Sequence, residues 1–155
     1  MEDILDLYQQ LFDENYPVIC MDEKLYQLLG EVRDSLSLKA GSPNCVDNEY
    51  ECCGICSVFV FTGPLGGWRY VHARERCTKM GWVYEIKELL AVYYPNVSKV
   101  CLVVDNLNIH NFLSLYEVFC VVEVRELVKW FEFHYTSKYG SWLNIAEIEL
   151  SVFSR

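Results

Sequence analysis

"KVCLVVD", residues 99–105, sets five apolar residues directly against Asp105, and "NLNIH" follows at 106–110. A run this short, apolar at every position and closed by a turn former, reads as a strand buried on both faces. "PVICMD", residues 17–22, has the same form and ends on Asp22. If the two strands lie parallel and adjacent, Asp22 and Asp105 sit side by side at the carboxyl edge of a sheet. Open α/β sheets bind their ligands at that edge. Two close carboxylates repel unless a cation lies between them, and oxygen-only ligands suit a hard ion such as Mg2+ or Mn2+. Aspartate is also an ordinary turn former at strand ends, so the pattern alone leaves both uses open.

A third ligand has to come from elsewhere. The last segment, "SWLNIAEIELSVFS" (141–154), has helical spacing. Leu143, Ala146, Leu150 and Phe153 form one stripe, and Ile145, Ile148 and Val152 form another, so the helix is expected to be largely covered. Glu147 borders the first stripe and Glu149 lies nearer the opposite side. Periodicity does not choose between them, but a carboxylate among apolar neighbours needs a partner.

Working outward, residues 1–12 look helical, with Ile4, Leu5, Tyr8, Leu11 and Phe12 at helical spacing, and Pro17 closes that region. Residues 30–48 are rich in Gly, Ser, Pro and Asp and read as a loop. "ICSVFVF" (55–61), the turn "TGPLGG" and "WRYVHAR" (68–74) form a hairpin. Thr78 can cap a helix running to Tyr94, with Trp82, Ile86, Leu89, Leu90 and Tyr93 as its apolar stripe. Asn111–Phe119 and Val122–Lys129 read as short helices and "WFEFHY" as a strand. Hairpins first, then alternating helices and strands, give an α/β fold: a mixed sheet with helices on both faces.

The chain has 155 residues, 52% of them hydrophobic, which suits one domain with a real core. No apolar run approaches the roughly 18–20 residues that span a bilayer, and the acidic, amphipathic "MEDILDLYQQLF" is unlike a signal peptide. The expectation is a cytoplasmic protein without a membrane partner. The net charge of −9 argues against a broad electrostatic nucleic-acid surface. It leaves room for a metal-bridged phosphate site, where carboxylates hold the cation. Of the eight cysteines, Cys20, Cys101 and Cys120 sit in apolar runs and read as small buried hydrophobes. Cys45, Cys52, Cys53 and Cys56 could supply four thiolates to zinc, but their spacing is not that of a zinc knuckle, and unpaired thiols are expected.

Taken together, "VICMDEK", "VVDNLNIH" and "HYTSKYGSWLNIAEIELSVFSR" resemble the catalytic core of a bacterial insertion-sequence transposase, of the mariner-related branch of the DDE superfamily of endonucleases. "GWRYVHARERCTK" fits as well, and the likeness covers essentially the whole chain. It implies an RNase H-like fold with a five-stranded mixed sheet: three antiparallel strands, then two parallel ones. It also implies an acidic triad of Asp22, Asp105 and Glu147, which selects Glu147 over Glu149 by motif. The implied chemistry is DNA phosphodiester cleavage and strand transfer at transposon ends. Two Mg2+ (or Mn2+) ions would be bridged by Asp22, with Asp105 and Glu147 each holding one. Asn106 and His110 could orient Asp105 or contact phosphate; a helix-entry role is the other use of His110. Asn144 reads as a helix-start residue rather than a ligand. Tyr139 could stack on a base, while Trp142 is expected in packing.

The chain also departs from that pattern. No N-terminal DNA-binding modules are visible, and the last helix is cut short at Arg155, which suggests a single domain, 1–155, from a longer ancestor. Ser137 and Tyr139 stand where the family tends to have proline and histidine. Asn44, Cys45, Cys52 and Cys77 replace polar or basic residues, which weakens phosphate neutralisation. A homodimer is compatible with the resemblance. The competing expectation is a catalytically inactive remnant that keeps only the scaffold.

Overall fold

The computed structural model describes residues 2–33, 40–41, 49–75, 79–105 and 112–153. Helix α1 (Glu2–Tyr8) precedes strands β1 (Val18–Glu31), β2 (Tyr50–Gly63) and β3 (Trp68–Arg74). Helix α2 (Lys79–Glu88) loosens into a π-helical turn at Leu89–Tyr93. Strand β4 (Val100–Val104), helices α3 (Phe112–Tyr116) and α4 (Val121–Lys129), and strand β5 (Phe131–Tyr135) follow. A 3-10 turn at Ser141–Leu143 leads into α5 (Ile145–Phe153). One sheet takes the order β3-β2-β1-β4-β5. The pairs β1–β2 and β2–β3 are antiparallel; β1–β4 and β4–β5 are parallel. This is the RNase H-like arrangement of three antiparallel and two parallel strands.

Residues 18–21 of β1 and Val100–Val104 of β4 are apolar at every position because each face of the sheet has its own core. Side chains alternate across a strand. Ile19, Met21, Val100, Leu102 and Val104 enter a core with Trp82, Ile86 and Leu89 of the α2 segment and Leu115 and Val124 of α3 and α4. Val18, Cys20, Cys101 and Val103 enter a second core with Ile4 and Leu7 of α1 and Leu143 and Ala146 beside and on α5. A one-residue slip of β1 would exchange the two sets. Trp82, Ile86, Leu89 and Leu90 are buried, as their stripe requires.

Several elements differ from the reading of the sequence. Strands β1 and β2 run well past "VICMD" and "ICSVFVF", pairing out to Glu31↔Tyr50 with a bulge at Leu28/Leu29. Strand β3 pairs only with Ser57–Gly63, so residues 26–31 and 50–56 form a two-stranded ribbon beyond the sheet, with Leu28, Leu29 and Ile55 exposed. Its apolar residues do not alternate cleanly, which hid the strand. The last helix begins at Ile145, not Ser141, because the 3-10 turn comes first. It is covered on one face only: Ala146 and Leu150 are buried, while Ile148, Val152 and Phe153 are exposed. Trp142 is 62% exposed rather than packed. Cys20 and Cys101 are buried as expected, but Cys120 precedes α4 and is exposed. No helix among the described residues is long and apolar enough to cross a membrane.

Candidate active site

The parallel pairing of β1 with β4 runs Val18↔Cys101, Ile19↔Leu102, Cys20↔Val103. Carried two residues further, the same register sets Asp105 opposite Asp22. The alternation that sends Met21 and Val104 into the α2-side core turns the next residue of each strand to the α5 side. Asp22 and Asp105 are both part-buried. Asp22 Oδ1 accepts from the Glu23 amide at 2.9 Å. Thus the two strand-end aspartates occupy one edge and one face.

The start of α5 is anchored to that same edge. Asn144 is buried, and its Nδ2 donates to the Met21 carbonyl at 2.8 Å. Its Oδ1 accepts from the Ala146 amide at 3.2 Å, and its carbonyl accepts from the Glu147 amide at 3.0 Å. Asn144 is therefore the N-cap, as its sequence position suggests, and also a tie to the residue before Asp22. From α1, the Tyr8 hydroxyl donates to the Leu143 carbonyl at 2.8 Å and lies 3.1 Å from Cys20 Sγ. Burial keeps both groups protonated: the Cys20 thiol is pushed up to about 11 and Tyr8 is raised as well.

Glu147 and Glu149 now differ physically. Glu149 Oε1 accepts from Arg69 Nε at 3.0 Å and faces Arg69 Nη2 at 2.8 Å. Its charge already has a partner on β3. Among the described residues, Glu147 Oε2 is a buried oxygen with no hydrogen-bond donor, as is Glu85 Oε2 on the other face of the sheet. Such an oxygen is costly to bury, and a hard cation is one answer to it. The carboxylate oxygens of Asp22, Asp105 and Glu147 are donors of the type that fits a divalent ion such as Mg2+ or Mn2+.

A second charged cluster lies on the opposite face. Glu85 of α2 is only 1% exposed. It accepts from His72 Nδ1 at 2.8 Å and from Arg74 Nε, both on β3, and Arg74 Nη2 lies 3.9 Å from Glu88. His72, Glu85 and Glu88 form the one group of three among the described residues whose ligand atoms all lie within 4.8 Å of one another. Arg74 already sits there as the cation, so this cluster reads as a buried ion-pair network. Asp22, Asp105 and Glu147 are not drawn together as tightly.

Asn106, His110 and Cys45 lie outside the described residues. Cys52, Cys53 and Cys56 do not form a ligand group among the described residues; Cys52 and Cys53 are exposed free thiols. Glu85 was missed in the sequence, although it stands three residues after Trp82 and four before Leu89. A carboxylate on an apolar stripe is the signal that could have found it.

The sheet order and the paired aspartates define an RNase H-like domain with an acidic edge. Residues 17–155 match the family described as DDE superfamily endonuclease, and the chain belongs to that family. Its fold is similar to the Mos1 transposase in a paired-end complex with the left transposon end (TM-score 0.60, 15% identity, 99% of this chain and 45% of that one). The Mos1 mariner paired-end complex with Mn gives a TM-score of 0.57 at 15% identity, over 99% of this chain and 45% of that chain. A simian T-cell lymphotropic virus intasome, in complex with the PP2A regulatory subunit B56 gamma, gives 0.53 at 9% identity, over 92% and 40%. The chain thus spans less than half the length of these solved chains. No curated protein matches it in sequence.

Proposed function

We propose that this domain is a metal-dependent DNA nuclease of the transposase kind, acting by phosphodiester cleavage and strand transfer. The observation that carries the reading is the common register of Asp22 and Asp105, within a chain whose family match covers 17–155. Asp22, Asp105 and Glu147 are the metal-holding carboxylates of this reading, with Asp22 between the other two. Two bound Mg2+ or Mn2+ ions would lower the pKa of an attacking water or 3′-hydroxyl and neutralise charge on the departing oxygen. The chain's own part is to hold three carboxylates at one edge. Glu147 keeps an oxygen without a protein donor, and Glu149 is kept out of the way by Arg69.

Transposon-end DNA and Mn in the Mos1 complexes support the same substrate class and cation type here. Tyr139 (88% exposed) and Trp142 flank the approach to α5 and offer stacking faces to an unpaired base. Lys138 Nζ lies 5.7 Å from the Tyr139 ring centroid, adding a cation in a chain of net charge −9. Incubation with supercoiled plasmid tests the reading. Nicking that needs Mn2+ or Mg2+ and disappears in Glu147→Gln is the expected result. A chain that binds the ions but never nicks would instead support the inactive-remnant reading.

A further inference from the structure

Asn144 does two things at once. Its Oδ1 caps α5 through the Ala146 amide at 3.2 Å, and its Nδ2 reaches across to the Met21 carbonyl at 2.8 Å. Met21 immediately precedes Asp22, and Asn144 is three residues before Glu147, whose amide it also receives at 3.0 Å. The bond to Met21 spans 123 residues of sequence and is fully buried. An ordinary N-cap needs only the side-chain oxygen. The amide nitrogen is surplus to capping, and here it fixes the first turn of α5 to the strand that carries the first carboxylate.

We propose that Asn144 is a positioning residue that sets Glu147 against Asp22, so that metal uptake depends on the Nδ2–Met21 bond. The inference rests on the reading of Glu147 as a metal-holding carboxylate. Groups that orient a metal ligand without touching the metal typically change affinity or activity about 10–100-fold when removed. Capping and positioning separate by chemistry. Asn144→Ser keeps a good capping oxygen but is too short to donate to Met21. Asn144→Asp keeps the capping oxygen and turns an acceptor toward the Met21 carbonyl.

The experiment is a Mn2+ titration of the purified chain, with free Mn2+ read by electron paramagnetic resonance, for wild type, Asn144→Ser, Asn144→Asp and Glu147→Gln. It is run below the melting temperature of each, as set by circular dichroism. The expected result is a Mn2+ dissociation constant raised about tenfold or more in both Asn144 variants, with helix content unchanged. A merely structural Asn144 would lower the melting temperature and leave the dissociation constant at the wild-type value; that result overturns the inference. If either variant fails to fold, the other carries the same comparison. Should both lose helix content at every temperature, Asn144 is a folding residue and the inference is likewise overturned. If Glu147→Gln binds Mn2+ like wild type, the reading of Glu147 has failed whatever Asn144 does. If Glu147→Gln loses binding while both Asn144 variants titrate like wild type, only this inference falls.

Discussion

The two faces of the sheet each bury a carboxylate oxygen without a donor, Glu85 Oε2 on the α2 face and Glu147 Oε2 on the α5 face, but surround it differently. On the α2 face, Glu85 is buried with His72 and Arg74 against one oxygen, and Glu88 stands behind Arg74. On the α5 face, Asp22 and Asp105 share a register, and Glu147 keeps a buried oxygen without a donor. Buried charge is tolerable when a protein cation accompanies it. The lesson is that burial of acid groups alone does not mark an active site: Glu85 and Glu147 each keep a buried oxygen without a hydrogen-bond donor, and at Glu85 His72 and Arg74 meet the other oxygen.

The largest expected effect breaks this contrast at the catalytic edge. If Asp105 and Glu147 hold the metal as proposed, Asp105→Asn or Glu147→Gln is expected to lower plasmid nicking about 10³-fold, several kcal/mol of transition-state stabilisation. Glu149→Gln, whose partner is Arg69, is expected to nick at close to the wild-type rate. Next comes the opposite face. Arg74→Met leaves Glu85 buried beside His72 alone and is expected to cost about 3 kcal/mol in urea unfolding, without changing Mn2+ affinity.

Below these stands the pH dependence. The Cys20 thiol has its pKa raised by burial from its ordinary 9.0 to about 11. The folded state therefore holds that proton more tightly than the unfolded chain does. Its contribution is fully present below pH 9 and is lost as pH rises through about 11. The melting temperature is expected to fall across that window, and less steeply in Cys20→Ala. The smallest effect belongs to the solvent-exposed ion pair: Arg69→Met is expected to cost no more than about 0.5 kcal/mol, because exposed pairs are screened.

The parallel pairing of the two buried strands was legible in the sequence, for one physical reason. A strand buried on both faces must be apolar at every position, so "VICMD" and "KVCLVVD" announced both their burial and where it stopped. The proposed choice of Glu147 over Glu149 came from the family motif alone, and the structure adds a physical difference between the two. Glu149 pairs with Arg69, 80 residues away in sequence, and no local pattern reports such a pairing. The long ribbon of β1 and β2 was hidden because Leu25, Tyr26, Leu28 and Leu29 break the two-residue period, and the bulge at Leu28/Leu29 is the structural counterpart of that break. Trp142 and the Ile148–Val152 stripe looked like core because they are apolar, yet exposed apolar side chains are common on protein surfaces. Asn144 was read as a helix start, which it is; its second bond, to Met21, depends on the packing of α5 against β1.

Mn2+ binding in wild type, Asp105→Asn and Glu85→Gln sets the two faces against each other most directly. The account expects Mn2+ to bind wild type and Glu85→Gln alike and to be lost from Asp105→Asn. Binding that survives in Asp105→Asn and disappears in Glu85→Gln would place the ion on the α2 face and contradict it.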